Sequence, residues 1–236
     1  MDTQTRHALK QDKFVTATTS GLEWIGEHRS PVIQWSIAVV AVIAVVVASI
    51  VVYHNRTVTA ESLLGQAMDI YETPLTVPNQ PAEPGVKTYA TAAARAKDAF
   101  PLFQQVADQY GWLHAGAMGR YFAGITALDL GQQGTAATYL EKATHSGGSN
   151  LEALAKLALA NLDEQTGHSA EAIALFQDLI QHPATTVPKA EAQLQLAALY
   201  DTTQPDAAKR LYAQIQDQNK GTDAAQIASE KLHELK

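Results

Sequence analysis

The sequence predicts an all-α protein in which a single N-terminal transmembrane helix precedes an α-solenoid of helix pairs. Three observations carry that reading. A stretch of 22 residues holds no charge, a ladder of small and apolar residues recurs about every 36 positions, and alanine makes up 41 of the 236 residues. Alanine is the best helix former, and its short side chain lets helices approach closely. Aromatic residues at 7% weigh against a strand-rich core. With no cysteine, disulfides, thiol catalysis, cysteine-ligated metals and a lipid-bearing N-terminal cysteine are excluded. A net charge of −7 weighs against a nucleic-acid partner held through phosphates.

Residues 1–31 form a juxtamembrane segment. Phe14, Val15, Leu22, Trp24 and Ile25 recur among polar residues, with Gly21, Gly26 and Pro31 interrupting. The segment reads as a short amphipathic helix on the membrane surface or a docking site for a membrane partner, with a loose linker as the alternative. From Val32 to Tyr53 the chain is uncharged. A helix of that length spans about 33 Å, close to the ~30 Å hydrocarbon core. Trp35 and Tyr53 stand at its ends, where amphipathic rings favour the headgroup level. A cleaved signal peptide is the competing reading, with Val46 and Ala48 before the cut. Its n-region would be about 30 residues, and its apolar run exceeds the usual 7–15. A retained signal anchor over 32–53 is the expectation. Arg6, Lys10, Lys13 and Arg29 precede the span and only Arg56 closely follows it, so the N-terminus is expected in the cytoplasm and residues 54–236 outside.

The exported part carries the repeat. Gly124, Gly131, Ala136, Leu140 and Ala143 are followed 36 residues later by Ala160, Gly167, Ala172, Phe176 and Leu179. The ladder returns as Ala197, Ala208, Tyr212 and Ile215, with one residue missing near Gln204-Pro205, and its second half appears earlier as Ala99, Phe103 and Val106. Each unit reads as two helices. Small residues admit the first helix to its neighbour, a turn glycine ends it, and an Ala-x-x-x-aromatic/Leu-x-x-apolar stripe buries the second. Between the early helix and the one after Lys87, residues 73–87 (TPLTVPNQPAEPGVK) hold four prolines and a glycine. They read as an extended loop, either a tolerated insertion or a lid or partner contact. Residues 222–235 read as a closing helix with Thr222 as its N-cap.

The pattern resembles the tetratricopeptide repeat, with GITALDLGQQGTAATYLEKA (124–143) and ANLDEQTGHSAEAIALFQDL (160–179) matching it best. The tryptophan and tyrosine of that family's first helix are absent, so the pairs are degenerate. The resemblance implies that the first helix of each pair lines a concave binding face. Carried onto Gly124, Ala160 and Ala197 as equivalent points, it selects Tyr121, Asp129, Asn161, Glu164 and Asp201 as a partner-binding groove. Three carboxylates there would attract a basic or extended polar segment. Solvated helix-face residues are the plainer alternative.

No catalytic, cofactor or metal site is expected. No two of the eight histidines have the spacing of a His-Glu-x-x-His site. His114, His145, His168 and His182 fall near helix ends, where capping or solvated roles suit them. Gly147-Gly148 lacks the lysine of a phosphate loop, and Gly116 and Gly119 read as close-packing points. Asn55-Arg56-Thr57 fits a glycosylation sequon, but close to the membrane. The layout as a whole resembles the YfgM-like ancillary subunits of the SecYEG translocon. That resemblance implies a non-enzymatic protein of the bacterial inner membrane linking translocon subunits with periplasmic chaperones or exported clients. It implies no cofactor and no small-molecule substrate. A scaffold in a cell-division or outer-membrane assembly complex is the alternative.

Overall fold

The computed structural model describes residues 29–77, 85 and 87–235. The candidate amphipathic segment before Arg29 and most of the proline-rich stretch, residues 78–84 and 86, lie outside the described residues. The chain divides into two units, Met1–Asn55 and Arg56–Lys236. Among the described residues the structure is helical apart from one isolated bridge, as an all-α chain should be.

Helix α1 runs from Arg29 to Tyr71. It contains the whole expected span and does not stop there. No glycine or proline lies between Val32 and Leu64, so nothing in the backbone interrupts it. The part beyond Ile33 is long and apolar enough to cross a membrane, with a mean hydropathy of 2.9 in a fully exposed window. Ile37, Val39, Val40, Val42, Ile43 and Val45 point in all directions round the helix and are all exposed, so the apolar surface runs right round it. The character changes after Arg56, where Ala60 and Ala67, seven residues apart, are fully buried.

The second unit continues through α2 (Ala92–Gln109), α3 (His114–Asp129), α4 (Gln133–Ala143), α5 (Ser149–Gln165), α6 (Ser169–Gln181), α7 (Lys189–Thr203), α8 (Pro205–Gln218) and α9 (Asp223–Glu234). From α2 to α9 consecutive helices pack on one another, and α3 also touches α5 as α7 touches α9. That is a solenoid. The stripe supplies its core: Ala136, Ala172 and Ala208 are fully buried, and so are Leu140 and Phe176, with Tyr212 nearly so. Ala143, Leu179 and Ile215 complete the stripe, and Ala99, Phe103 and Val106 repeat it in α2.

The turns follow the same register. Gly131 and Gly167 close α3 and α5 with φ of +72° and +84°, a conformation glycine adopts without steric cost. In the third pair Gln204 alone separates α7 from α8 at φ −150°, and Pro205 starts α8. The missing residue is therefore a shorter turn. Gly147 and Gly148 likewise have positive φ and only shape the α4–α5 turn. Gly116 and Gly119 are close-packing points: a Cβ on Gly116 would lie 2.0 Å from the Tyr110 carbonyl oxygen, and one on Gly119 2.9 Å from the Ala107 nitrogen.

The ends of the proline-rich loop are tied together. The Thr76 amide donates to the Tyr89 carbonyl at 2.8 Å, and the Tyr89 amide donates to that of Pro74 at 3.0 Å. Tyr89 also donates to Asp98 at 2.7 Å, and Thr91 caps α2 by accepting from the Ala94 amide. At the far end Thr222 caps α9 through the Ala225 amide, and Ala225 and Ala228 bury its inner face. Asn150 fixes the α6–α7 connection, accepting from the Thr185 amide at 3.1 Å through its side chain and from the Thr186 hydroxyl at 2.7 Å through its carbonyl.

Ala172→Leu should cost about 1–3 kcal/mol by overpacking, and Phe176→Ala about 3–5 kcal/mol by leaving a cavity. Both are read by chemical denaturation. A pH test falls on Asp178, whose carboxyl is held below its ordinary value, chiefly by the hydrogen bond from Lys156 and also by His182. A depressed carboxylate stabilises the fold above its ordinary pKa and ceases to do so as pH falls through the depressed value. The carboxylate is part-exposed, so Asp178→Asn should cost under about 1 kcal/mol at pH 7, with the difference closing in acid.

Candidate partner-binding surface

The five groove candidates lie on the first helices of their pairs, Tyr121 and Asp129 on α3, Asn161 and Glu164 on α5, and Asp201 on α7. Their surroundings differ. Glu164 is exposed, whereas the other four are half-buried. Register explains part of this. Glu164 and Asp201 stand four residues after Ala160 and Ala197, but Asp129 stands five after Gly124, about 100° further round the helix. The residue in the equivalent place on α3 is Leu128.

Asp129 faces the start of the array. Burial pushes its carboxyl up, and the Arg95 guanidinium partly offsets this. Arg95 lies 4.8 Å over the Tyr71 ring and donates through Nη1 to the Thr73 carbonyl at 3.2 Å, while its Nε is enclosed without a hydrogen-bond partner. Tyr121 packs edge-on to Phe122 at 5.1 Å, Phe122 meets Tyr71 at 5.4 Å, and burial raises the Tyr121 phenol. Tyr71, Arg95, Tyr121, Phe122 and Asp129 thus join the end of α1 to α2 and α3.

Asp201 has a structural task. It accepts from the Tyr212 hydroxyl at 3.1 Å, and its other oxygen is enclosed. Tyr212 is 1% exposed, and its phenol is pushed far up by burial first and by Asp201 second. The equivalent stripe positions hold Leu140 and Phe176, so at this position of the stripe the third pair alone brings a hydroxyl that needs an acceptor. Of the three carboxylates, Glu164 alone is exposed.

Asn161 opens onto a pocket of about 330 Å³ between α3 and α5, with Ile125, Leu128, Ala158 and Leu162 as apolar walls. Gly131, Gln133 and Gln165 complete the lining. This combination accepts one aliphatic side chain while the three carboxamides can donate to and accept from a neighbouring peptide backbone. Gln133 and Gln165 carry no signal in the sequence, because the pocket exists only once α3 and α5 are adjacent. Among the described residues no group of three or more His, Asp or Glu could hold a metal ion. His168 meets the Thr166 hydroxyl at 2.9 Å and His182 meets Asp178 at 3.1 Å, both at helix ends. Trp35 and Tyr53, the expected interface anchors, are 73% and 55% exposed on α1.

No family model matches the chain, and no curated protein matches it. Among solved structures the chain is similar to a Podosopora anserina protein described as a kinesin light chain with nearly identical TPR-like repeats. The TM-score is 0.51 and the identity 18%, over 60% of this chain and 77% of that one. The shared feature is the fold. The α-solenoid of tetratricopeptide-like pairs expected from the 36-residue ladder is the architecture observed.

Replacing Asp201 by alanine should cost about 1–3 kcal/mol, because the Tyr212 hydroxyl loses its acceptor inside the protein. Glu164→Ala should stay within about 0.5 kcal/mol of the parent. Urea denaturation of the two variants side by side measures the contrast.

Proposed function

We propose that the chain is a membrane-anchored, non-enzymatic interaction module whose first-helix face holds an extended segment of a partner protein. The observation that carries this reading is the pairing, in one chain, of an apolar helix exposed on every side with a tetratricopeptide-like solenoid. The first supplies attachment, and the second supplies a long surface of polar side chains on a fixed framework. The α3–α5 pocket receives an aliphatic side chain of the partner, Asn161, Gln133 and Gln165 hold its backbone, and exposed Glu164 favours a nearby basic residue.

The four basic residues before the span support an N-terminus in the cytoplasm and the helical unit on the periplasmic side of the bacterial inner membrane. In that setting the layout similar to the YfgM-like subunits supports a role ancillary to the Sec translocon, joining it to periplasmic chaperones or exported clients. Protease added to spheroplasts should digest the helical unit and spare an N-terminal tag; a mature chain beginning near Ser49 would contradict the anchor. A photo-crosslinking residue at Asn161, in native membranes, should capture translocon subunits, periplasmic chaperones or exported chains. Recovery of division or outer-membrane assembly proteins in their place would move the assignment to an envelope scaffold.

A further inference from the structure

The α3–α5 pocket holds no charge of its own and has a carboxylate on either side. None of the residues lining it is charged. Helix geometry places the two neighbours. At about 100° per residue, Leu128, Ile125 and Asp129 follow one another round α3 in steps of about 60° and 40°. Leu128 and Ile125 are pocket walls, so Asp129 comes next beyond Ile125, on the side away from α5. Its electrostatic neighbours, Arg95 of α2 and Tyr71 of α1, support that direction. On α5 the order is reversed. Gln165 and Asn161 line the pocket, and Glu164 lies about 60° beyond Asn161, on the side away from α3. Across the two helices the surface reads carboxylate, aliphatic wall, pocket, carboxamide, carboxylate.

Both carboxylates are left without a counter-ion in contact. The ion pairs among the described residues involve neither Asp129 nor Glu164. Glu164 is exposed, and the burial of Asp129 is only partly offset by Arg95. An uncharged pocket between two such carboxylates complements an apolar residue flanked by two cations. Spacing sets how far apart these stand. Neighbouring rows on a helix surface place Cβ atoms about 5–6 Å apart, so each carboxylate begins about that far outside its pocket wall. In an extended chain, side chains two residues apart share a face and lie about 7 Å from one another. A lysine or arginine two positions from the pocketed residue therefore meets a carboxylate from the same face. The residues between point away and leave their backbone to Asn161, Gln133 and Gln165.

We propose that the occupant of the α3–α5 pocket is an extended segment of the form basic–x–aliphatic–x–basic, its cations held by Asp129 on one side and Glu164 on the other. The proposal rests on the reading of this pocket as the place where a partner segment is held. It makes recognition a matter of alternation: the aliphatic residue supplies the burial, and the two cations fix its register across α3 and α5.

Fluorescence anisotropy tests it, with the full chain in phosphatidylcholine nanodiscs, whose lipid carries no net charge. The probe is the labelled peptide Gly-Ser-Lys-Ser-Leu-Ser-Lys-Ser-Gly at low salt. Exchanging its leucine for serine should weaken binding about tenfold or more, as expected for losing one buried aliphatic side chain. Exchanging either lysine for serine should weaken it severalfold, and added salt should shrink that difference. Asp129→Asn should abolish the effect of one lysine and Glu164→Gln that of the other, with unchanged circular dichroism. Dependence on the leucine with none on the lysines would overturn the proposal and leave the pocket reading standing. Dependence on the lysines that persists in both protein variants would mean that other carboxylates hold them, which also overturns it. Dependence on one lysine alone would reduce the site to a single cation and contradict the bracketed form. Binding indifferent to the leucine, or no binding at all, would remove the pocket reading and the proposal with it.

Discussion

The fold depends on how closely one helix can lie against the next. At Gly124 a Cβ would sit 2.6 Å from Cγ of Leu140, so the Leu140 side chain fills the space a larger residue on α3 would need. Ala160 and Ala197 hold the corresponding places on α5 and α7, and Ala136, Ala172 and Ala208 present equally small faces on the second helices. Small residues at the crossing let Leu140, Phe176 and Tyr212 fill the space beside it. Each pair then leaves an apolar flank that the next pair covers, until α9 closes the stack with Ala225 and Ala228 inside and mostly polar residues outside. Close approach thus sets both the core and the open surface.

Polar interactions enter this scheme where the apolar stripe is interrupted. Tyr139 lies in the buried cluster with Phe103 and sends its hydroxyl to Asp108 at 3.1 Å, as Tyr212 does to Asp201. In both cases an aspartate on an earlier helix, Asp108 on α2 and Asp201 on α7, accepts from a tyrosine on the second helix of a pair. Leaving a buried hydroxyl unpaired is expensive, so these carboxylates are held by the fold and are less free to greet a partner. The half-buried Arg95 at the start of the array follows the same logic. What remains for recognition is Asp129, the exposed Glu164 and the carboxamide-lined pocket between them.

Much of the fold was legible because its period is written in residue size. The positions Ala136, Leu140 and Ala143, and their successors, are core in the structure for the reason they stood out in the sequence: they recur with the glycine turns that terminate the preceding helix. The one-residue gap near Gln204 was visible for the same reason. The continuity of α1 was not, since the change from lipid-compatible to amphipathic pattern at Arg56 marks a change of surroundings without a break in the backbone. The candidate groove was only partly legible. Choosing carboxylates by chain position merged two registers on α3 and α7 and overlooked that Tyr212 requires Asp201. The pocket residues Gln133 and Gln165 were invisible, because their adjacency comes from the packing of α3, α4 and α5.

The solenoid of close-packed pairs underlies every functional statement made for this chain, and the contact between Gly124 and Leu140 tests it most directly. The measurement is a double-mutant cycle in urea, combining Gly124→Ala with Leu140→Ala. The structure requires that the methyl added at Gly124 collide with the Leu140 side chain and find room once that side chain is cut back. The penalty of Gly124→Ala should therefore fall by about 1 kcal/mol or more in the Leu140→Ala background, within the range for residues in contact. Additivity of the two changes to within about 0.5 kcal/mol would mean the helices do not meet there, and the repeat register would be wrong.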